Sequence, residues 1–284
     1  MRKFNVMIAL ALTAGVTAAS GIMGMKADAA VTGRGAQTAV REEGGPGAPG
    51  SQGTVRETVA GSGTREESSA GDGKNTETGA PVSDGVIQPQ NLKAAETADQ
   101  MVVVVGTGGC YADTYYYTKG EDAWDMVWKE ASIVGRGGIT SDKKEGDGKT
   151  PAGTYGFTMA FGLKENPGSI LPYHKVGKGD YWVDDSSSAY YNKLVNTSST
   201  PKTWNSAENL AAASPYYNYA LALDYNADCV PGKGSAIFLH CFTASADNGS
   251  AGCIRLPEAR AMELVRTATE RTRIVIAEDL NHLQ

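Results

Sequence analysis

The chain has 284 residues, 41% of them hydrophobic, and a formal net charge of −6. That balance leaves no basic footprint of the kind a nucleic-acid partner requires, so no nucleic-acid role is expected. Of its 4 Trp, 13 Tyr and 5 Phe only Phe4 precedes residue 100, and none falls between Lys26 and Gln100. A stretch without large apolar side chains cannot offset the chain entropy lost on ordering, so the expected folded unit is 100–284.

Taken in chain order, Arg2 and Lys3 precede an uncharged apolar run from Phe4 to Met25, and Ala27-Asp28-Ala29 supplies a small-x-small triplet. This order predicts a secretory signal over 1–29 and an exported protein on the outer side of the membrane. A membrane anchor is the rival reading, since about 20 apolar residues span a bilayer. Residues 30–99 are rich in Gly, Ser, Thr and Glu and read as a disordered linker.

The remainder is punctuated by turn residues. Met101–Val105, Trp124–Trp128, Tyr155–Met159, Tyr181–Val183, Tyr219–Tyr225, Ser235–His240 and Ile274–Ile276 read as strands, and Leu171–His174 as a loop. Two helices are expected: an Ala-rich one over 205–213, and one over Pro257–Thr269 with Ala261, Leu264, Val265 and Ala268 on one face. Short strands without βαβ alternation predict a mostly β domain with few helices, a sandwich or mixed sheet. The tyrosine runs 115–117 and 216–217 fit cross-strand packing better than sugar stacking. Asp184-Asp185 fits a turn.

Chemistry concentrates late in the chain. Among 3 histidines, His240 ends an apolar strand, where an imidazole needs a hydrogen bond or a place at the sheet's mouth. Cys253 follows in Ser250-Ala251-Gly252-Cys253-Ile254-Arg255-Leu256. An imidazole that takes the thiol proton and a cation such as Arg255 would make Cys253 a nucleophile, and Gly252 would let backbone amides face an oxyanion. Exported chains also use cysteine in disulfides, so bridges among Cys110, Cys229, Cys241 and Cys253 compete with that reading. By strand alternation Cys241 is expected to face away from His240. No Cys-x-x-Cys or His-Glu-x-x-His spacing occurs, so no metal is expected.

The segment from His240 through Ser250-Ala251-Gly252-Cys253-Ile254-Arg255-Leu256 resembles the active-site signature of the L,D-transpeptidase catalytic-domain family. Upstream, Gly146-Asp147-Gly148-Lys149-Thr150-Pro151-Ala152-Gly153 resembles the family's second hallmark. The resemblance spans about residues 100–280 and implies the family's mixed-sheet β fold. It implies catalysis without a cofactor by Cys253, an unbridged nucleophile, and His240 as base, acting at the cell wall on peptidoglycan stem peptides as an acyltransferase of cell-wall biogenesis and cell shape. Gly252, Ser250 and Arg255 would serve the oxyanion or substrate, a backbone carbonyl would hold the second ring nitrogen of His240, and Tyr173 and His174 are candidates to line the cleft. An L,D-carboxypeptidase that passes the acyl group to water, and a non-catalytic wall-binding module, are the alternatives.

Overall fold

A computed structural model describes residues 79–242 and 248–284. A hairpin of β1 (Val82–Ser83) and β2 (Val86–Ile87) leads into 3-10 turns at Pro89–Asn91 and Lys93–Glu96. Three long strands follow: β3 (Gln100–Gly108), β4 (Tyr111–Lys119) and β5 (Trp124–Ile133). Next come the parallel pair β6 (Ile139–Thr140) and β7 (Thr150–Pro151), then β8 (Gly153–Tyr155), β9 (Phe157–Gly162) and β10 (Tyr173–Lys175). A separate antiparallel sheet is built from β11 (Asp180–Val183), β12 (Leu194–Asn196) and β13 (Ala207–Asn209). The chain returns through β14 (Ala220–Leu223), β15 (Phe238–Phe242), β16 (Ile254–Pro257), helix α1 (Glu258–Thr267) and β17 (Thr272–Ala277). Ten strands make one mixed sheet in the order β10-β9-β14-β15-β16-β5-β4-β3-β17-β8. The fold is therefore mostly β with one α-helix among the described residues, as the punctuation and periodicity imply.

The sequence pattern explains the layers. Along β3 every residue from Met101 to Val105 is buried, because alternate side chains enter two different cores. Val102 and Val104 join the cluster that includes Leu264 and Val265 of α1, whereas Met101, Val103 and Val105 join a second cluster with Ile87, Leu92, Ala94 and Ala98. α1 keeps its expected stripe, with Ala261, Leu264 and Val265 buried. Pro257 stands at its N-cap instead of inside the first turn. A third cluster, on the other face of β14–β16 from α1, holds Phe161, Trp182, Phe238 and Cys253.

Several expectations need correction. Residues 82–98 are part of the fold: Ile87, Leu92, Ala94 and Ala98 are buried, so small aliphatic side chains cover a sheet face without any aromatic. The Ala-rich segment 205–213 is no helix. Ala207–Asn209 pairs with β11, and only a 3-10 turn at Leu210–Ala212 follows. So short a segment gains little from an isolated helix, whereas the sheet edge offers its backbone immediate partners. Tyr173–Lys175 is an edge strand, parallel to β9, and not loop. The strand expected at Ser235–His240 begins at Phe238. The tyrosine-rich β4 extends well beyond its tyrosines; Tyr116 packs on Trp128 at 5.4 Å, as cross-strand packing requires. The signal or anchor segment 1–29 and linker residues 30–78 lie outside the described residues.

Candidate active site

β15 and β16 run parallel with Leu239 opposite Ile254 and His240 opposite Arg255. Alternation then sorts the side chains. Leu239, Cys241, Ile254 and Leu256 enter the core beneath α1, so Cys241 does face away from His240. His240, Arg255 and Cys253 come out on the other face. There they line a pocket of about 180 Å³ together with Glu208, Tyr216 and Tyr217.

The imidazole is held in one orientation. Its Nδ1 lies 2.8 Å from the Cys241 carbonyl oxygen. A carbonyl only accepts, so Nδ1 carries the proton, and in the neutral ring Nε2 is the basic nitrogen. This is the backbone-held tautomer expected from the sequence. Tyr217 meets the ring edge-on at 4.9 Å and Tyr216 does so at 6.2 Å. The 216–217 pair thus forms pocket wall, a role that packing alone did not predict.

Cys253 is an unbridged thiol and only 5% exposed. Its Sγ accepts from the Phe238 amide at 3.4 Å and donates to the Ala236 carbonyl at 3.2 Å. Burial, with Glu208 as the next cause, pushes the thiol up to about 12, so it is protonated at neutral pH. The carbonyl that holds its proton belongs to a residue with φ of +53°, a left-handed conformation that costs an alanine about 1–2 kcal/mol.

The loop before Cys253 is strapped from below by the second motif. Thr150, fully buried, donates its hydroxyl proton to the Gly252 carbonyl at 2.8 Å and accepts from the Gly135 amide at 2.8 Å. Ser250 donates to the Cys253 carbonyl at 2.6 Å and accepts from the Gly252 amide at 2.9 Å. The Gly252 amide is therefore engaged, which corrects the expectation that it faces an oxyanion. Gly252 is needed for another reason: at φ +148° a Cβ would lie 2.8 Å from the Lys149 carbonyl oxygen. Within the motif, the Asp147 carboxylate caps the amides of Lys144 and Lys149 and pairs with the Lys143 ammonium at 2.7 Å.

Arg255 lies in the pocket wall, its guanidinium 4.9 Å from the Tyr216 ring centroid. Tyr173 and His174 do not line the pocket, because β10 is the outer edge of the sheet, beyond β9 and β14. The Tyr173 hydroxyl donates to the Lys164 carbonyl, and His174 pairs with Asp180 at 2.8 Å. Asp185 accepts from Ser187 and Asn205, the turn expected at 184–185. Thr150 and Glu208 were not singled out from the sequence. Thr150 stood inside a recognised motif, whereas Glu208 sat in a segment read as helix.

A thiol and an oriented imidazole in one pocket, over a loop fixed by Thr150 and Ser250, can carry acyl transfer through a thioester. The family model YkuD, described as the L,D-transpeptidase catalytic domain, matches residues 100–276. No curated protein matches the chain. Among solved structures, Bdellovibrio bacteriovorus Bd1075 is 14% identical over 66% of this chain and 51% of that one, with a TM-score of 0.37. A mutant of the Enterococcus faecium L,D-transpeptidase is 13% identical over 63% and 49%, with a TM-score of 0.30. The chain spans about half the length of each of these structures.

Proposed function

The chain belongs to the L,D-transpeptidase catalytic-domain family, and from that premise we propose that it is an exported enzyme cross-linking peptidoglycan stem peptides through Cys253. Export rests on the order of basic, apolar and small residues over 1–29.

In the proposed first half-reaction, Cys253 Sγ attacks the carbonyl between the third residue of a stem tetrapeptide, an L-centred diamino acid, and its terminal D-alanine. His240 Nε2 takes the thiol proton as the S–C bond forms. It returns that proton to the departing D-alanine nitrogen as the C–N bond breaks, leaving a thioester. With the Gly252 amide bonded to Ser250, the Cys253 amide is the proposed donor to the tetrahedral oxyanion. Arg255, in the pocket wall, is the proposed partner of a substrate carboxylate. In the second half-reaction a side-chain amine of a neighbouring stem takes the acyl group, giving a 3→3 cross-link.

The observation that carries this reading is the tautomer of His240. Its Nδ1 is held by the Cys241 carbonyl, and the ring shares a pocket with Cys253. Intact-mass analysis with a stem tetrapeptide tests it. The expected result is an adduct of tripeptide-acyl mass mapped to Cys253, absent from Cys253→Ala, with D-alanine released. A cross-linked dimer among the products supports transfer, and tripeptide alone makes the protein an L,D-carboxypeptidase. Absence of any adduct, with Cys253→Ala unchanged from wild type in every assay, would leave the wall-binding module as the reading.

A further inference from the structure

Among the described residues, Glu208 is the one acidic side chain lining the pocket that holds Cys253 and His240. β13 places it there: in the antiparallel register Glu208 stands opposite Trp182, whose ring packs on Phe238 at 4.9 Å. Its carboxylate is fixed on one side only. Oε2 accepts from the Tyr217 hydroxyl at 2.5 Å, and Tyr217 is in turn set against the His240 ring at 4.9 Å. The other oxygen has no hydrogen-bond partner among the described residues and is not sealed in the protein. Glu208 also makes no ion pair among the described residues.

This arrangement works against the nucleophile. Burial raises the carboxyl of Glu208 against the opposing pull of the Arg255 guanidinium, and Glu208 itself pushes the Cys253 thiol further from ionisation. An apolar residue at 208 would serve thiolate formation better. A half-paired carboxylate beside a nucleophilic sulfur makes chemical sense when something cationic enters the pocket after the sulfur has been acylated.

We propose that Glu208 receives the ammonium group of the acyl acceptor, selecting a cationic primary amine over water and over uncharged amines. The assignment rests on the acyl-transfer reading of Cys253 and names the acceptor chemistry of that same site. The acceptor enters as R–NH3+ and hydrogen-bonds the open oxygen of Glu208. It passes one proton to that carboxylate, which releases it to water. The nitrogen lone pair then forms the C–N bond to the thioester carbonyl, and the C–S bonding pair returns to sulfur. The second nitrogen proton travels through His240 Nε2 to Cys253 Sγ, which restores the thiol and the neutral imidazole.

The test uses the full chain, wild type and Glu208→Gln, acylated with a stem tetrapeptide and then given increasing acceptor. One acceptor is a tripeptide stem with a free side-chain amine, cationic at neutral pH, and the other is trifluoroethylamine, which is uncharged there. In Glu208→Gln the concentration of cationic acceptor giving half-maximal transfer rises about tenfold or more, as loss of a hydrogen bond to a charged group implies. The response to trifluoroethylamine changes by less than about threefold, and D-alanine release in the first half-reaction is undiminished or faster, because the charge that opposes the thiolate is gone. In the wild type itself, added salt raises the half-maximal concentration for the cationic amine and leaves that for trifluoroethylamine unchanged.

Equal half-maximal concentrations in the two proteins overturn the proposal. So does a parallel fall in acylation and transfer while the wild type shows no salt effect confined to the cationic amine. If Glu208→Gln does not fold, the wild-type salt comparison decides alone. A wild type that forms no adduct at Cys253 overturns this assignment and the acyl-transfer reading together, whereas a normal adduct with no preference for the cation overturns this assignment only.

Discussion

At the scale of single residues, Cys253 is a protonated thiol because burial and Glu208 outweigh what the Phe238 amide and Arg255 offer a negative charge. Its proton is held by the Ala236 carbonyl, and burial and Glu208 push it up to about 12. In the proposed mechanism ionisation therefore belongs to the encounter with substrate, when His240 would take the proton, and not to the resting protein. Iodoacetamide labelling followed by peptide mapping checks this. Below the titration of the folded thiol the thiolate fraction grows about tenfold per pH unit, so labelling of Cys253 in the free protein is expected to climb steadily from pH 7 to pH 10. A rate already at plateau near pH 7 would instead indicate a standing thiolate–imidazolium pair. Cys253, His240 and the opposite facing of Cys241 were legible from the two motifs and from alternation along a strand, and a backbone carbonyl on the His240 ring was expected without its being known which. The resting partner of the sulfur was not, because Ala236 reaches it through a left-handed backbone conformation that no residue type at that position announces.

Between elements, the two motifs act as one structure through Thr150 and Gly252. Replacing Thr150 by Val keeps the shape of the side chain but removes both hydrogen bonds, leaving the buried Gly135 amide without its acceptor. The expected cost is about 2 kcal/mol of stability in denaturant unfolding, with a fall in the rate of acylation as the Cys253 loop loses its strap. Thr150→Ser, which retains the hydroxyl, is expected to recover most of both. A Thr150→Val protein with unchanged unfolding and acylation would show that the loop is held by other means. The motif itself could be read, but its contact could not: a separation of 102 residues between Thr150 and Gly252 leaves no trace in local periodicity. The same limit explains segment 205–213. Alanine content argued for helix, while the open edge of β11 that captured Ala207–Asn209 is a property of residues 180–183. Glu208 entered the pocket by that route.

Across the whole molecule, the first folded residues matter more than their composition suggests. The cluster containing Ile87, Leu92, Ala94 and Ala98 covers the face of β3 and β17 opposite α1. Removing it would expose Met101, Val103 and Val105 to water. Leu92→Ala is expected to destabilise the fold by about 2–5 kcal/mol, the usual range for a fully buried leucine, read as a shift in the midpoint of chemical denaturation. A chain starting at residue 100 is expected to unfold at lower denaturant still and to aggregate. Equal midpoints for the full and shortened chains would mean that the segment packs without contributing. The ten-stranded order and the parallel β15–β16 pair were out of reach of a reading that found each strand separately, because strand order depends on which edges meet.

The register of β15 against β16 gives the pocket an unusual kind of insurance. Shifting either strand by one position would turn leucine and isoleucine outward and drive imidazole and guanidinium into the oil beneath α1. Misalignment of the reacting groups is thus penalised by the greasy side of the ribbon before chemistry is ever attempted. Substitutions on that hidden side, at Leu239 or Ile254, would therefore be felt as lost turnover by residues they never touch.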